Sequence, residues 1–314
     1  MLKKSILFFI LLLFAHPAFS DIPFKARGTA TISEAGQFLS APKWSPDGKY
    51  IAAAGDNFGS IWLYNVQANS WIKLVEQNGA GWEFDWSPDS RRIAFRANKM
   101  DGRRKLTTIL VVDIVTGQTQ QLADFDRDFS TPRWVNAVEV AFLHHDALQV
   151  AALPTISLSK PDSTSRPRSI CLFSAKGVLT KEMDKTLSQI KPLEGRVFNV
   201  SYSPDNSRIL FKQQGRAICV MNKDGKNIQR IAEGEMPVWN PSGEFVAYSE
   251  TREDAFEYTS SDLWIVTANG AEKQQITFTK DEMEMRPHWS PDGRRIACDS
   301  NGKIILIDLV GREQ

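Results

Sequence analysis

The sequence predicts an all-β fold: a six-bladed β-propeller of four-stranded antiparallel blades, its ring closed by an N-terminal strand that completes the last blade. Three observations predict it. A Trp-Ser-Pro-Asp-Gly phrase recurs six times, whole or altered. Each copy leads into a short apolar strand. A second apolar strand, closed by a small polar residue, follows each time. A unit repeated in this way signals an array whose copies bury their apolar faces against one another.

The phrase is intact at Trp44–Gly48 and Trp289–Gly293. It is altered at Trp86–Ser90, Tyr202–Asn206 and Trp239–Gly243, and worn at Trp134, where Val135, Asn136 and Ala137 follow. Pro presets φ, Asp bonds the backbone beyond it, and Gly takes a left-handed conformation without steric cost. The phrase is therefore a tight hairpin turn, and its aromatic residue packs against the next unit. Asp47, Asp89, Asp205 and Asp292 resemble a carboxylate set, but turn chemistry accounts for them.

The chain has 314 residues, 42% of them hydrophobic, and a formal net charge of +1. That is enough for a large core, and the neutral balance gives no sign of a nucleic-acid partner. Lys3, Lys4, an apolar run over Ile6–Ala15 and the small-x-small site Ala18-Phe19-Ser20 predict a signal peptide over residues 1–20, cleaved after Ser20. The run is shorter than the ~20 apolar residues that span a bilayer. Export to the periplasm is expected, with no lipid anchor and no membrane insertion.

Phe24–Ser33 has strand character but no hairpin of its own, and the last repeat lacks one strand. Closing the ring with this segment removes the open sheet edge. Blades are expected at about 38–76, 81–123, 130–194, 197–233, 235–278 and 284–309. The third strands are Ile61–Asn65, Ile109–Asp113, Ile170–Ser174, Ile218–Asn222, Leu263–Thr267 and Ile304–Asp308. More polar outer strands follow at Trp71–Val75, Thr119–Ala123, Ile228–Ala232 and Gln274–Phe278. The motif aromatics are 42, 48, 68, 37 and 50 residues apart. The 68-residue interval is too long for one blade. It is read as an exposed insertion over Ser157–Arg168 and a short helix over Lys181–Ile190. Cys171, Cys219 and Cys298 lie in predicted strands and are read as buried small hydrophobes, not a disulfide framework.

The repeat, best spelled at Ala41–Ala53 and Arg286–Cys298, resembles the TolB-type (PD40, WD40-like) propeller repeat over roughly residues 21–314. The resemblance implies a periplasmic protein that works by contact with other proteins in a Tol–Pal-type envelope system, with a partner such as a peptidoglycan-associated lipoprotein. The N-terminal α/β domain of that family is expected to be absent, because only about twenty residues separate the expected cleavage site from the first blade. Similar repeats occur in prolyl-oligopeptidase-like propellers, which need a hydrolase domain.

No nucleophile elbow, phosphate loop or dinucleotide fingerprint occurs. His144 and His145 follow a strand, where neighbours point to opposite faces, and are read as a loop pair. Asp124, Asp126 and Asp128 match a calcium loop only in part. No catalytic residue, metal or cofactor is expected. Function is placed instead on the loops leading into the inner strands, at the channel mouth. The candidates are Lys43, Trp82, Glu83, Asp85, Arg133, Arg196, Glu235, Glu284, Arg286 and His288. The variable residues just before the aromatic (Lys43, Asp85, Arg133, Ser201, Val238, His288) are expected to matter most. The reading is a monomeric, non-enzymatic envelope interaction module. The alternative is a carbohydrate-active lyase or hydrolase, or a small-ligand binder, with a metal in the channel.

Overall fold

The computed structural model describes residues 22–153, 170–174, 177–181, 188–190, 196–215, 217–254, 257–280 and 282–311. The expected signal peptide and the expected insertion Ser157–Arg168 lie outside them.

These residues form antiparallel sheets arranged as a β-propeller, with no α-helix among them. The first sheet comprises Ser40–Trp44, Tyr50–Ala54, Ser60–Asn65 and Ser70–Glu76. The second comprises Asp85–Trp86, Arg92–Asp101, Arg104–Asp113 and Thr119–Gln121. The third holds Arg133–Trp134, Glu139–His144 and Ala147–Ala152. Three later sheets again have four strands and start at Val197–Tyr202, Glu235–Trp239 and Met285–Trp289. Six sheets thus open on the six motif strands, as expected.

The long interval holds one further sheet, of Ile170–Ser174, Gly177–Lys181 and Ser188–Ile190. This corrects two readings. Ile170–Ser174 is not the third strand of the Trp134 sheet, because Ala147–Ala152 takes that place through a two-residue hairpin. His145 and Asp146 both have positive φ there (47° and 61°), the conformation such a turn requires. A strand two residues away pairs at less entropic cost than one beyond a long loop. The expected helix over Lys181–Ile190 is contradicted at its described residues, which are strand.

The core lies between sheets. Ile61 and Leu63 of the first sheet pack on Phe84, Trp86 and Phe95 of the second. Ile109 and Val111 then meet Trp134 and Phe142. The ring closes where Ala297 and Ile304 of the last sheet meet Trp44 and Ile51. Phe24–Thr31 pairs with Lys303–Gly311 as the outer strand of that last sheet, as expected. Phe24 stands 5.1 Å from both Phe245 and Trp289, and Ile22 is fully buried beside them.

The motif turns repeat atom for atom. Ser45, Ser87, Ser203 and Ser290 are buried and donate to Asp47, Asp89, Asp205 and Asp292 at 2.5–2.7 Å. The same carboxylate oxygens accept the N–H two residues on. Each Asp is bound into its turn. Cys219 and Cys298 are buried free thiols; the Cys171 side chain lies outside the described set.

Candidate functional site at the channel mouth

The inner strands start with a distortion the sequence does not announce. Ala41, Glu83, Asn199, Met236 and Arg286 each stand three residues before the motif aromatic, and each has φ of 50–52°. Ladder register shifts there in four of the five sheets. Such a bulge re-aims a side chain at the rim of the sheet. A non-glycine residue pays strain for this conformation.

The structure brings five of the ten candidates together. Lys43 donates from Nζ to the Phe84 carbonyl at 2.6 Å and lies over the Phe84 ring. Burial, with Arg133 beside it, lowers its pKa to about 8, against the opposing pull of Asp85 and Glu83. Burial works against the charge of Glu83, but Arg133, Lys43, a 2.9 Å hydrogen bond from Thr131 and Arg96 hold its carboxyl below the usual range. His288 completes the group. Burial and then Lys43 lower its pKa to about 4, so the ring is neutral, and its Nδ1 stands 3.3 Å from the Trp44 nitrogen and 3.2 Å from the Trp289 carbonyl oxygen.

The residues before the motif aromatic therefore link sheets as well as line the channel. Asp85 accepts the Trp134 N–H at 3.0 Å, and its carbonyl accepts Trp134 Nε1–H at 3.1 Å. Trp86 Nε1–H reaches the Lys43 carbonyl at 3.1 Å. Asp85 thus fastens the neighbouring sheet through its side chain and its backbone.

The other candidates stand apart. Glu284 is buried with Thr277 and Thr279 at its carboxylate, and burial followed by nearby Asp262 raises its pKa. Arg286 pairs with Asp299 at 2.8 Å; burial raises Asp299 to about 6 despite that pairing. Glu235 pairs with Lys212. Arg196 is exposed. Trp82 is 47% exposed and meets Phe58 edge-on at 4.9 Å.

Sequence reasoning missed Arg96, Lys212 and Asp299. All three stand ten residues after the motif aromatic, each a charge interrupting an apolar second strand. That interruption is the signal that marks them. It also missed how His144 and His145 fall. They do not diverge: both rings turn to Asp126, because the left-handed His145 breaks the strand alternation.

Around Trp82 the surface is concave. A groove of about 530 Å³ is lined by Phe58, Trp82, Met100, Arg96, Lys99 and Lys105, among others. A second of about 820 Å³ is lined by Phe38, Trp62, Lys73 and Glu76. Asn78 and Asn98 line both, so the grooves are continuous.

The His288 environment sets a pH dependence. With an ordinary pKa of 6.5 when unfolded and about 4 when folded, the ring binds protons more readily in the unfolded chain between those values. The stability linked to its neutral form is complete above pH 6.5 and is lost as pH falls towards 4, about 3 kcal/mol at most. Asp299 acts with opposite sign between its ordinary value and about 6. The test therefore compares variants. Urea unfolding at pH 7 and pH 4.5 should show His288→Gln losing about 2 kcal/mol less than the native chain on acidification. Equal losses would contradict the assignment.

No family model matches the chain. It is 20% identical over 263 residues to the Tol-Pal system protein TolB of Francisella tularensis, an alignment covering 81% of this chain and 54% of that one. It is 23% identical over 288 residues to dipeptidyl-peptidase 5 of Porphyromonas gingivalis, covering 86% and 38% respectively. The crystal structure of TolB from Acinetobacter baumannii superposes with a TM-score of 0.56 at 16% identity, covering 82% of this chain and 59% of that one. The chain spans about half the length, or less, of the curated relatives it matches. Repeats and ring define a β-propeller. Within that class its repeats are similar to those of TolB propellers.

Proposed function

We propose that the chain is a non-enzymatic protein–protein interaction module of the periplasm, holding an envelope partner at the channel mouth. The observation that carries this is the pair of continuous grooves over the first two blades, whose Arg96 adjoins Glu83 and Arg133 of the mouth. Phe38, Trp82 and Met100 are 63%, 47% and 65% exposed there, beside the basic Arg96, Lys99 and Lys105. Contiguous exposed apolar groups rimmed by charge mark interaction surfaces, and Trp and Arg dominate binding energy at such places. The TolB likeness supports an envelope setting and a Tol–Pal-type partner such as a peptidoglycan-associated lipoprotein. No helix among the described residues is long and apolar enough to cross a membrane.

The test measures binding of purified peptidoglycan-associated lipoprotein from the same cells. Trp82→Ala should weaken it by about 30-fold or more, the roughly 2 kcal/mol of a central anchor, with an unchanged melting temperature. Binding unaffected by Trp82→Ala and Arg96→Glu would place the contact elsewhere; no binding by the native chain would remove this partner.

A further inference from the structure

We propose that Asp126, His144 and His145 form a binding site for a late first-row divalent metal ion of the zinc type. It lies at the rim between the second and third motif blades, and the argument is independent of the partner-binding reading. Asp126 Oδ2 lies 3.0 Å from His144 Nε2 and 3.3 Å from His145 Nε2, and the three ligand atoms are all within 4.8 Å of one another. An ion bound tetrahedrally at ~2.0 Å spaces its ligands roughly 3.3 Å apart. The three atoms need little rearrangement to hold one.

The fold builds this convergence. Asp126 is fixed by two backbone hydrogen bonds to Thr107, on the long hairpin of the second sheet. His144 ends a strand of the third sheet and stacks on Phe129, 4.3 Å away and nearly parallel at 6°. His145 has φ 47°, which swings its ring to the same side. Two elements distant in sequence thus present two imidazoles and a carboxylate to one point.

The surrounding groups suit ligation. Asp128 Oδ2 lies 3.5 Å from His145 Nδ1, where a carboxylate favours the tautomer that leaves Nε2 free for a metal. The Arg127 N–H is bound to Asp126 Oδ1 at 2.8 Å, so the other oxygen is the one that faces the rings. Two imidazoles and one carboxylate fit zinc or its neighbours; calcium takes six to eight oxygens and does not suit this set. His145 is 54% exposed, so a fourth position opens to water or to a ligand's own donor. Catalytic zinc sites share this count of three protein ligands and one open place.

The experiment titrates tag-free, EDTA-stripped mature protein with zinc chloride and with calcium chloride in a calorimeter. The site predicts one zinc per chain, micromolar or tighter, and no calcium heat. His144→Ala and His145→Gln should each weaken zinc binding at least 100-fold, and Asp128→Asn 10- to 100-fold. Melting curves in EDTA identify any variant that fails to fold, and Asp126→Asn, which keeps the side-chain shape, then replaces it. Absence of one-to-one zinc binding, binding indifferent to both histidine substitutions, or equal binding of calcium would overturn the assignment.

Discussion

A chain lacking residues 22–33 is expected to lose its cooperative unfolding transition and to aggregate. The segment is short, but it supplies the whole outer strand of the last sheet, with seven residue pairs from Phe24↔Gly311 to Thr31↔Ile305. Ile22 is fully buried, and Phe24 packs on Phe245 and Trp289. Truncating buried Ile and Phe side chains costs about 2–5 and 3–5 kcal/mol respectively. Together they approach the entire ~5–15 kcal/mol that holds a typical domain folded. Deletion would also bare Lys303–Gly311, an apolar strand rich in Ile and Leu, as an open edge. A synthetic peptide of residues 22–33 added during refolding should restore the transition, and Phe24→Ala should lower stability by about 3–5 kcal/mol. A deleted chain that stays monomeric and melts like the native one would show that the ring does not depend on this strand.

Trp134→Ala is expected to cost about 3–5 kcal/mol in urea unfolding, with an unchanged fold where the variant survives. Trp134 is 1% exposed and sits among Ile109, Val111, Phe129, Val140 and Phe142. It joins two sheets, because its backbone N–H and its indole N–H both bond Asp85. Asp85→Ala should cost less, about 1–3 kcal/mol, since it leaves one buried N–H without its acceptor but removes little apolar contact. Asp85→Asn keeps an acceptor oxygen and should cost less again. The reverse ranking would mean that the hydrogen bond, not the packing, secures this joint.

The ring was legible in the sequence because each motif residue does one local job. Ser45 and Asp47 close a turn whatever surrounds it, so four copies could be recognised apart from context. The closing strand was legible for another reason: a sheet edge must be paired, and Phe24–Ser33 was the one segment left over. The sheet beginning at Ile170 was not legible. Its first strand carries the same apolar spelling as a third strand, and only the unannounced hairpin at His145–Asp146 releases it from that place.

The site was legible only as a region. Loops preceding the aromatic could be placed at one end of the ring, and five residues in them, Lys43, Glu83, Asp85, Arg133 and His288, lie close together in the fold. Their partners could not be read, because a pair such as Arg286 and Asp299 forms across strands through a bulge. The alternation rule failed at His144 and His145 for a like reason: it holds for extended backbone, and His145 is left-handed.

Site-specific photocrosslinking in intact envelopes tests the central claim most directly. A photoreactive residue replacing Met100, in the groove beside Trp82, is compared with one replacing Val115, which is 72% exposed in a turn at the opposite end of the second sheet. The expected result is a discrete adduct from Met100 that disappears with Trp82→Ala, and none from Val115. An adduct from Val115 alone, or one from Met100 that persists with Trp82→Ala, would contradict binding at the mouth.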